Sequence, residues 1–421
     1  MAGHFILVII VAVLFYVVVP AIGAFFARGQ WRRFRTAVTM VSHYPTATPG
    51  VVGREHAAPT GYYRFFGALE AIQGDDRIWL TNGRFSVAAD LRNVRVYLIP
   101  ETEGGEPVPP ALGSVPWSRI FSLPEGTPVF VGGAFFSEEG RGVFRDNGRT
   151  RLLVVIHDCP KESVVLRAIS GGRQRNEYIN PLTLPSVAIG SLSLVVLAFT
   201  LLALPERNVA LLALTAGLAP LCPFLPPGFP LYFAYRSYWK KARLLRVQRD
   251  LVRLPLRYFP ATPGGNRSRR ATLLPDMEPY LMIRGTIEST GYGGAESTGY
   301  GGAESTGYGG AVIVSEGVRM AIPSGMAQVQ VDLPRGRRRR LKWSGESVAC
   351  CGYSTEGDNV VLRKPDDPMA GSVLLPGDPE ALSKECGRAA RRYELVSVAF
   401  IAFDALVNVP LVFLLLSLAI R

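Results

Sequence analysis

The chain has little with which to do chemistry. Of 421 residues only four are histidine and five cysteine. His4, His43, His56 and His157 stand far apart, none at ligand spacing, which argues against metal hydrolysis. The cysteines, Cys159, Cys222, Cys350, Cys351 and Cys386, are odd in number and fit neither a disulfide framework nor a zinc site. Reduced thiols on a cytosolic face are the expectation. The sequence holds no Walker A motif, no dinucleotide glycine fingerprint, no HExxH and no GxSxG. No cofactor and no catalytic residue are expected, and the chain reads as non-enzymatic.

What it has in quantity is apolar sequence. Hydrophobic residues make up 48% of the chain, yet 19% is charged. Segregation reconciles the two, with apolar runs in a bilayer and charged stretches in water. Phe5 to Phe26 carries no charge and is long enough to cross a hydrocarbon core as a helix. Leu182 to Leu204 is a second such run. Val209 to Tyr235 is a third, interrupted by Pro220, Pro223, Pro226, Pro227 and Pro230, so part helix and part extended backbone is expected there. Leu395 to Ile420 is the fourth, with Asp404 as its only charge.

The charges beside these runs set an orientation. Nothing basic except His4 precedes Phe5, whereas Arg28, Arg32, Arg33 and Arg35 follow the run, the pattern of a retained helix rather than a cleaved signal. Arg167, Arg173 and Arg175 precede the second run. Arg236, Lys240, Lys241, Arg243, Arg246 and Arg249 follow the third, and Arg388, Arg391 and Arg392 precede the fourth. By the positive-inside rule both large polar segments lie in the cytoplasm and both termini outside, in a bacterial inner membrane. The net charge of +12 is then a matter of topology and does not call for nucleic acid.

An internal duplication is the second reading. Tyr44-Pro-Thr-Ala-Thr-Pro-Gly50 faces Tyr258-Phe-Pro-Ala-Thr-Pro-Gly264, each after a basic stretch that begins at Trp31 or Trp239. Gly67-Ala-Leu-Glu70 faces Gly285-Thr-Ile-Glu288, and Ile78 to Gly83 faces Val312 to Gly317. Trp117-Ser118 faces Trp343-Ser344, and Gly133 faces Gly352. Three identical octads, Glu-Ser-Thr-Gly-Tyr-Gly-Gly-Ala, run from Glu288 to Ala311. With two of them removed, the first glycine-to-glycine interval is 16 residues in both halves. Tandem expansion at a hairpin tip explains exact octads, because added loop length costs little entropy.

The expected architecture is therefore an α-helical membrane protein of four transmembrane helices with two duplicated, mainly-β soluble domains, each a small barrel or sandwich. Residues 1–27 form the first helix and 28–181 the first β domain. Residues 182–235 form a helical hairpin. Residues 236–394 form the second β domain, with octads at 288–311, and 395–421 the last helix. Arg28 to His43 and Tyr238 to Leu254 read as basic amphipathic helices continuing from the membrane.

Two groups of residues are candidate sites. Arg335, Arg337, Arg338, Arg339 and Arg340 form a basic run suited to a protein partner or anionic headgroups. It lacks the interleaved aromatic platforms that nucleic-acid binding would want. Asp404 and Asn408 lie one turn apart inside the fourth run, a candidate intramembrane polar site. An aspartate at mid-membrane costs roughly 2.5–3.5 kcal/mol on insertion scales and so faces a partner or water. It reads as an ion site, or else as a polar clamp between helices or a residue shallow enough to reach the cytoplasmic interface; the last two prevail because the other runs offer no matching acid or base. His157-Asp-Cys159 and Cys350-Cys351 read as packing. The expected function is a non-enzymatic membrane scaffold or adaptor. It presents two cytoplasmic β domains to a protein partner, with the lipid bilayer and homo-oligomer contacts as further partners. The alternatives are a transporter or channel component using Asp404, or a membrane-surface enzyme acting on lipid or protein.

Overall fold

The structure is a computed structural model. It describes residues 2–52, 56–101, 111–120, 122–138, 140–148, 150–259, 269–272, 279–289, 311–315, 317–323, 327–328, 346–356, 359–365, 367–370 and 372–419. The chain divides into two compact units. One comprises Met1–Trp31, Asn176–Arg246 and Cys386–Arg421, and the other Arg32–Arg175 and Val247–Glu385.

The first unit is helical. Four helical stretches among the described residues are long and apolar enough to cross a membrane: Gly3–Val41, Lys161–Leu202, Arg207–Phe224 and Pro379–Ala419. Together they mark a membrane protein. The first is interrupted by a π-helical turn over Leu14–Val18. A π turn lengthens the hydrogen-bonded ring and frees a carbonyl for an outside donor. Here the Ser186 hydroxyl donates to the Phe15 carbonyl at 2.6 Å, and the Tyr16 hydroxyl donates to the Ala216 carbonyl at 3.0 Å. Gly190 lets the helix Thr183–Leu202 come close, since a Cβ there would lie 2.5 Å from Phe15 Cβ. Small residues and hydroxyls are what bind helices where water supplies no hydrophobic push. The third apolar run departs from the expected part-extended form. It is α-helix over Arg207–Leu218, 3-10 helix over Ala219–Phe224, and α-helix again from Gly228 to Arg253. Pro223, Pro226 and Pro227 lack the N–H groups that a continuous helix would need there.

The second unit contains two barrel-like sheets. The first is built from β1 (His56–Gln73), β2 (Arg77–Thr81), β3 (Ser86–Asp90), β4 (Arg95–Ile99), β5 (Gly113–Pro116), β6 (Pro128–Glu138), β7 (Arg141–Arg145) and β8 (Leu153–His157). Its order is β1-β2-β3-β7-β6-β8-β4-β5, and a further β1–β6 pairing closes β1, β2, β3, β7 and β6 into a ring. Alternation along β1 turns Tyr63 and Phe65 into the ring and Arg64 out of it. Phe65, Leu80, Val131, Phe135 and Phe144 fill the interior, with Phe135 and Phe144 edge to face at 4.9 Å. The choice between barrel and sandwich thus resolves to a barrel-like sheet.

The second sheet is built from β9 (Arg269–Thr272), β10 (Pro279–Ser289), β11 (Ala311–Ser315), β12 (Val318–Ala321), β13 (Ala327–Gln328), β14 (Glu346–Glu356), β15 (Asn359–Arg363) and β16 (Val373–Pro376). The antiparallel pairs β10–β11, β11–β12, β10–β14, β14–β15 and β14–β16 match β1–β2, β2–β3, β1–β6, β6–β7 and β6–β8 in sense. The parallel pair β13–β16 likewise matches β4–β8. Gly83 and Gly317 each close a turn at φ +82° and +84°, a left-handed backbone that side chains resist. The ladders set Tyr62 opposite Ala134 and Tyr280 opposite Gly352.

The end of the helix Val19–Val41 lies against the first barrel. Phe34 stacks on Tyr97 at 4.0 Å, and Val41 lies over Gly132, where an added Cβ would meet Val41 Cγ1 at 2.1 Å. Gly132→Ala is expected to cost about 1–2 kcal/mol through this overlap. The added Val41→Ala change should return most of that loss in a denaturation series. A Gly132→Ala cost that Val41→Ala leaves untouched would mean the strand, not the helix contact, is what suffers.

Candidate functional site

Asp404 and Asn408 project from one face of the helix Pro379–Ala419, at 3% and 0% exposure. The Asn408 amide spends both protons. Nδ2 donates to Asp404 Oδ1 at 2.6 Å and to the Cys222 carbonyl at 3.0 Å. Cys222 belongs to the 3-10 segment, and its carbonyl also accepts the Leu225 N–H at 3.0 Å. Gly228 closes the other side. A Cβ there would lie 2.5 Å from the Cys222 oxygen and 2.6 Å from Asp404 Oδ1, so only glycine fits. The cluster therefore pins the break in one helix to the middle of another. Its one amide donor is consumed in doing so, which is the behaviour of a clamp. Arg335, Arg337, Arg338, Arg339 and Arg340 lie outside the described residues.

Sequence reasoning missed two polar groups in the unit that holds the sheets. Arg64 turns outward from the first barrel yet is 1% exposed, because Asp367 of the segment before β16 meets it, Nη2 to Oδ2 at 2.5 Å. Asp367 Oδ1 in turn accepts the Met369 N–H at 3.0 Å, which fixes the local turn. The pair joins the two β domains across 303 residues of sequence. A lone arginine inside Tyr62-Tyr63-Arg64-Phe65-Phe66 was the available signal: a strand so aromatic leaves its one charge nowhere dry to go but a partner.

The other group gathers around Asp250, where Arg173 Nε, Arg249 Nη2 and Arg35 Nη1 approach at 2.9, 2.7 and 3.3 Å. Burial acts to raise the Asp250 carboxyl, but Arg173 and Arg249 outweigh it and hold it below the ordinary carboxylate value. A carboxyl depressed in the folded state contributes stability above its unfolded pKa and loses it as pH falls through the folded value. Acidification below about pH 4 should therefore destabilise the wild type. Asp250→Asn should cost about 1–2 kcal/mol at neutral pH and flatten that acid limb. Equal acid limbs in a pH series of melting curves would show that Asp250 carries none of the effect.

The remaining candidates resolve as packing. His157 Nδ1 pairs with the Cys159 carbonyl at 2.8 Å, not with its thiol. Burial lowers His157 and raises Cys159, the opposite of an activated dyad. Cys350 and Cys351 are buried in β14, and burial pushes both thiols up. Among the described residues no three His, Cys, Asp or Glu side chains gather as a metal site. Compared with protein-family models, curated proteins and solved structures, the chain matches none.

Proposed function

We propose that this protein is a non-enzymatic scaffold of the cell membrane whose two β domains form one platform for a protein partner. The observation that carries this reading is the buried Arg64–Asp367 pair. A charge pair removed from water between two domains is costly unless the domains stay together, so it favours a fixed platform over two independent modules. The two domains are, in this reading, copies of one ancestral unit. The matching ladder sense of the six strand pairings supports that, as do the paired turns at Gly83 and Gly317. The basic flanks of the apolar spans support a cytoplasmic position for both domains. The arginine run from Arg335 to Arg340 is the proposed contact for an acidic partner surface or anionic lipid.

The test is a native-membrane pull-down in mild detergent with mass spectrometry, comparing the full chain with a variant lacking Asp332 to Lys342. A stoichiometric protein partner, lost in the variant, is the expected result. Recovery of specific lipids and no protein would sink the adaptor reading.

A further inference from the structure

The cations of the helical unit fall into two kinds. Some are met by the protein itself. Arg246 Nη2 donates to Glu394 Oε2 at 2.5 Å, and the Arg243 guanidinium lies over the Tyr178 ring at 5.3 Å. Arg236, Lys240, Arg388, Arg391 and Arg392 are exposed, and among the described residues none of the five has a side-chain hydrogen bond, an ion pair or a ring contact. Acids are scarce beside them. From Gly228 to Arg246 there is none, and between Cys386 and Leu395 there is only Glu394, which Arg246 takes. The two helices that carry the five run side by side and antiparallel. Tyr238 lies 5.5 Å from Tyr393 and 5.4 Å from Phe400, ring to ring, and Leu245 packs with Ala389 and Ala390, whereas Asn408 reaches Cys222 further along. The five cations therefore gather toward one end of the helical unit. Aromatic rings mark the depth of that end. Tyr235 stacks on Trp239 at 6.0 Å, and Trp239 meets Tyr178 edge to face at 5.3 Å. Trp and Tyr so grouped sit at the headgroup level of a bilayer.

On each helix the cations continue an apolar stripe. At 3.6 residues per turn, Arg388, Arg392, Leu395, Ala399, Ala402 and Leu406 share the face opposite Asp404 and Asn408, and Leu395 and Leu406 are 72% and 71% exposed. Phe229 and Phe233, both exposed, lead in the same way to Arg236 and Lys240. A face apolar along the span and cationic at its end has the layout of an anionic phospholipid, with acyl chains against the first part and the headgroup against the second. An acidic protein surface would match the charges but not the stripes that lead into them.

We propose that Arg236, Lys240, Arg388, Arg391 and Arg392 form a band that binds anionic phospholipid headgroups, with the acyl chains along the apolar stripes of the same two helices. The band is separate from the arginine run at Arg335 to Arg340. It needs a bilayer with anionic lipid and not the protein partner proposed above.

The test uses the full chain in neutral-detergent micelles at fixed total lipid, with phosphatidylglycerol replacing phosphatidylcholine stepwise. Saturable stabilisation is expected, a melting shift of about 2–4 °C. Because the contact is exposed, about 0.5 M salt should remove most of it. With Arg388→Gln, Arg391→Gln and Arg392→Gln together, the apparent affinity for phosphatidylglycerol should fall at least ~5-fold. The same three positions changed to lysine keep the point charges and should stay within ~2-fold of wild type. A chain lacking Asp332 to Lys342 should respond as the wild type does. One further readout needs no variant to fold: native mass spectrometry of the wild type from an equimolar lipid mixture should retain phosphatidylglycerol over phosphatidylcholine by at least ~5-fold. Equal retention of the two lipids, or an undiminished response in the triple glutamine variant, overturns the proposal. So does a response lost only when Asp332 to Lys342 is removed, since the lipid would then belong to that run.

Discussion

Asp367→Ala lowers the unfolding free energy by about 3–5 kcal/mol, the expected loss when one partner of a buried ion pair is removed. Arg64 keeps its charge and its burial, at 1% exposure, and loses the carboxylate that balanced it. The Met369 N–H loses its acceptor at the same time, so the turn before β16 loosens with the pair. A double variant, Arg64→Met with Asp367→Leu, separates the pairing from mere packing. Both charges are then gone and the volume is kept, and most of the lost stability should return, to within about 1–2 kcal/mol of wild type. Chemical denaturation followed by tryptophan fluorescence reads both. Additive losses in the double variant would mean that the two side chains are not coupled, and the platform reading would lose its support.

Asn408→Leu is expected to be nearly as damaging, at about 3 kcal/mol, the scale for a polar carboxyl left unpartnered deep in a membrane helix. It strips the hydrogen bond from Asp404 and the one that reaches the Cys222 carbonyl. Asp404→Asn keeps a hydrogen-bonding group against Asn408 and should cost less than about 1 kcal/mol, the usual worth of one interhelical hydrogen bond. That order distinguishes the clamp from an ion site. A clamp makes Asn408 the more sensitive position in a detergent melting assay, with Asp404→Asn well tolerated. If Asp404→Asn instead abolished an ion flux in reconstituted vesicles while leaving the melting curve alone, the transporter reading would replace the scaffold.

Much of this architecture could be read from residues alone, and the reason is local physics. An apolar run of about 20 residues is a strong signal because the bilayer sets its length. All four runs appear as helices of that character. Turn glycines such as Gly83 and Gly317 are likewise legible, because a left-handed backbone demands the residue. The third run was harder: its prolines announce a break, but not that the chain resumes as helix from Gly228. Arg64 was missed for a different reason. Strand alternation correctly turns it away from the barrel interior, and outward normally means wet. It is dry because residues some three hundred positions away cover it, and no periodicity reports on that. Asp404 and Asn408 were legible as a pair from their spacing; that Cys222 and Gly228 complete the cluster was not.

The rung that ends the β10–β11 ladder carries a consequence of its own. Ser289 sits opposite Ala311, and the octads, which begin at Glu288 and end at Ala311, fill the sequence between them. Adding or removing an octad leaves every rung of that hairpin facing the partner it has now. Doubling the length of such a connection costs only about 0.6 kcal/mol. The β10–β11 pairing itself therefore constrains octad number little. A peptide of another length spliced between Ser289 and Ala311 is then expected to leave these four rungs in place.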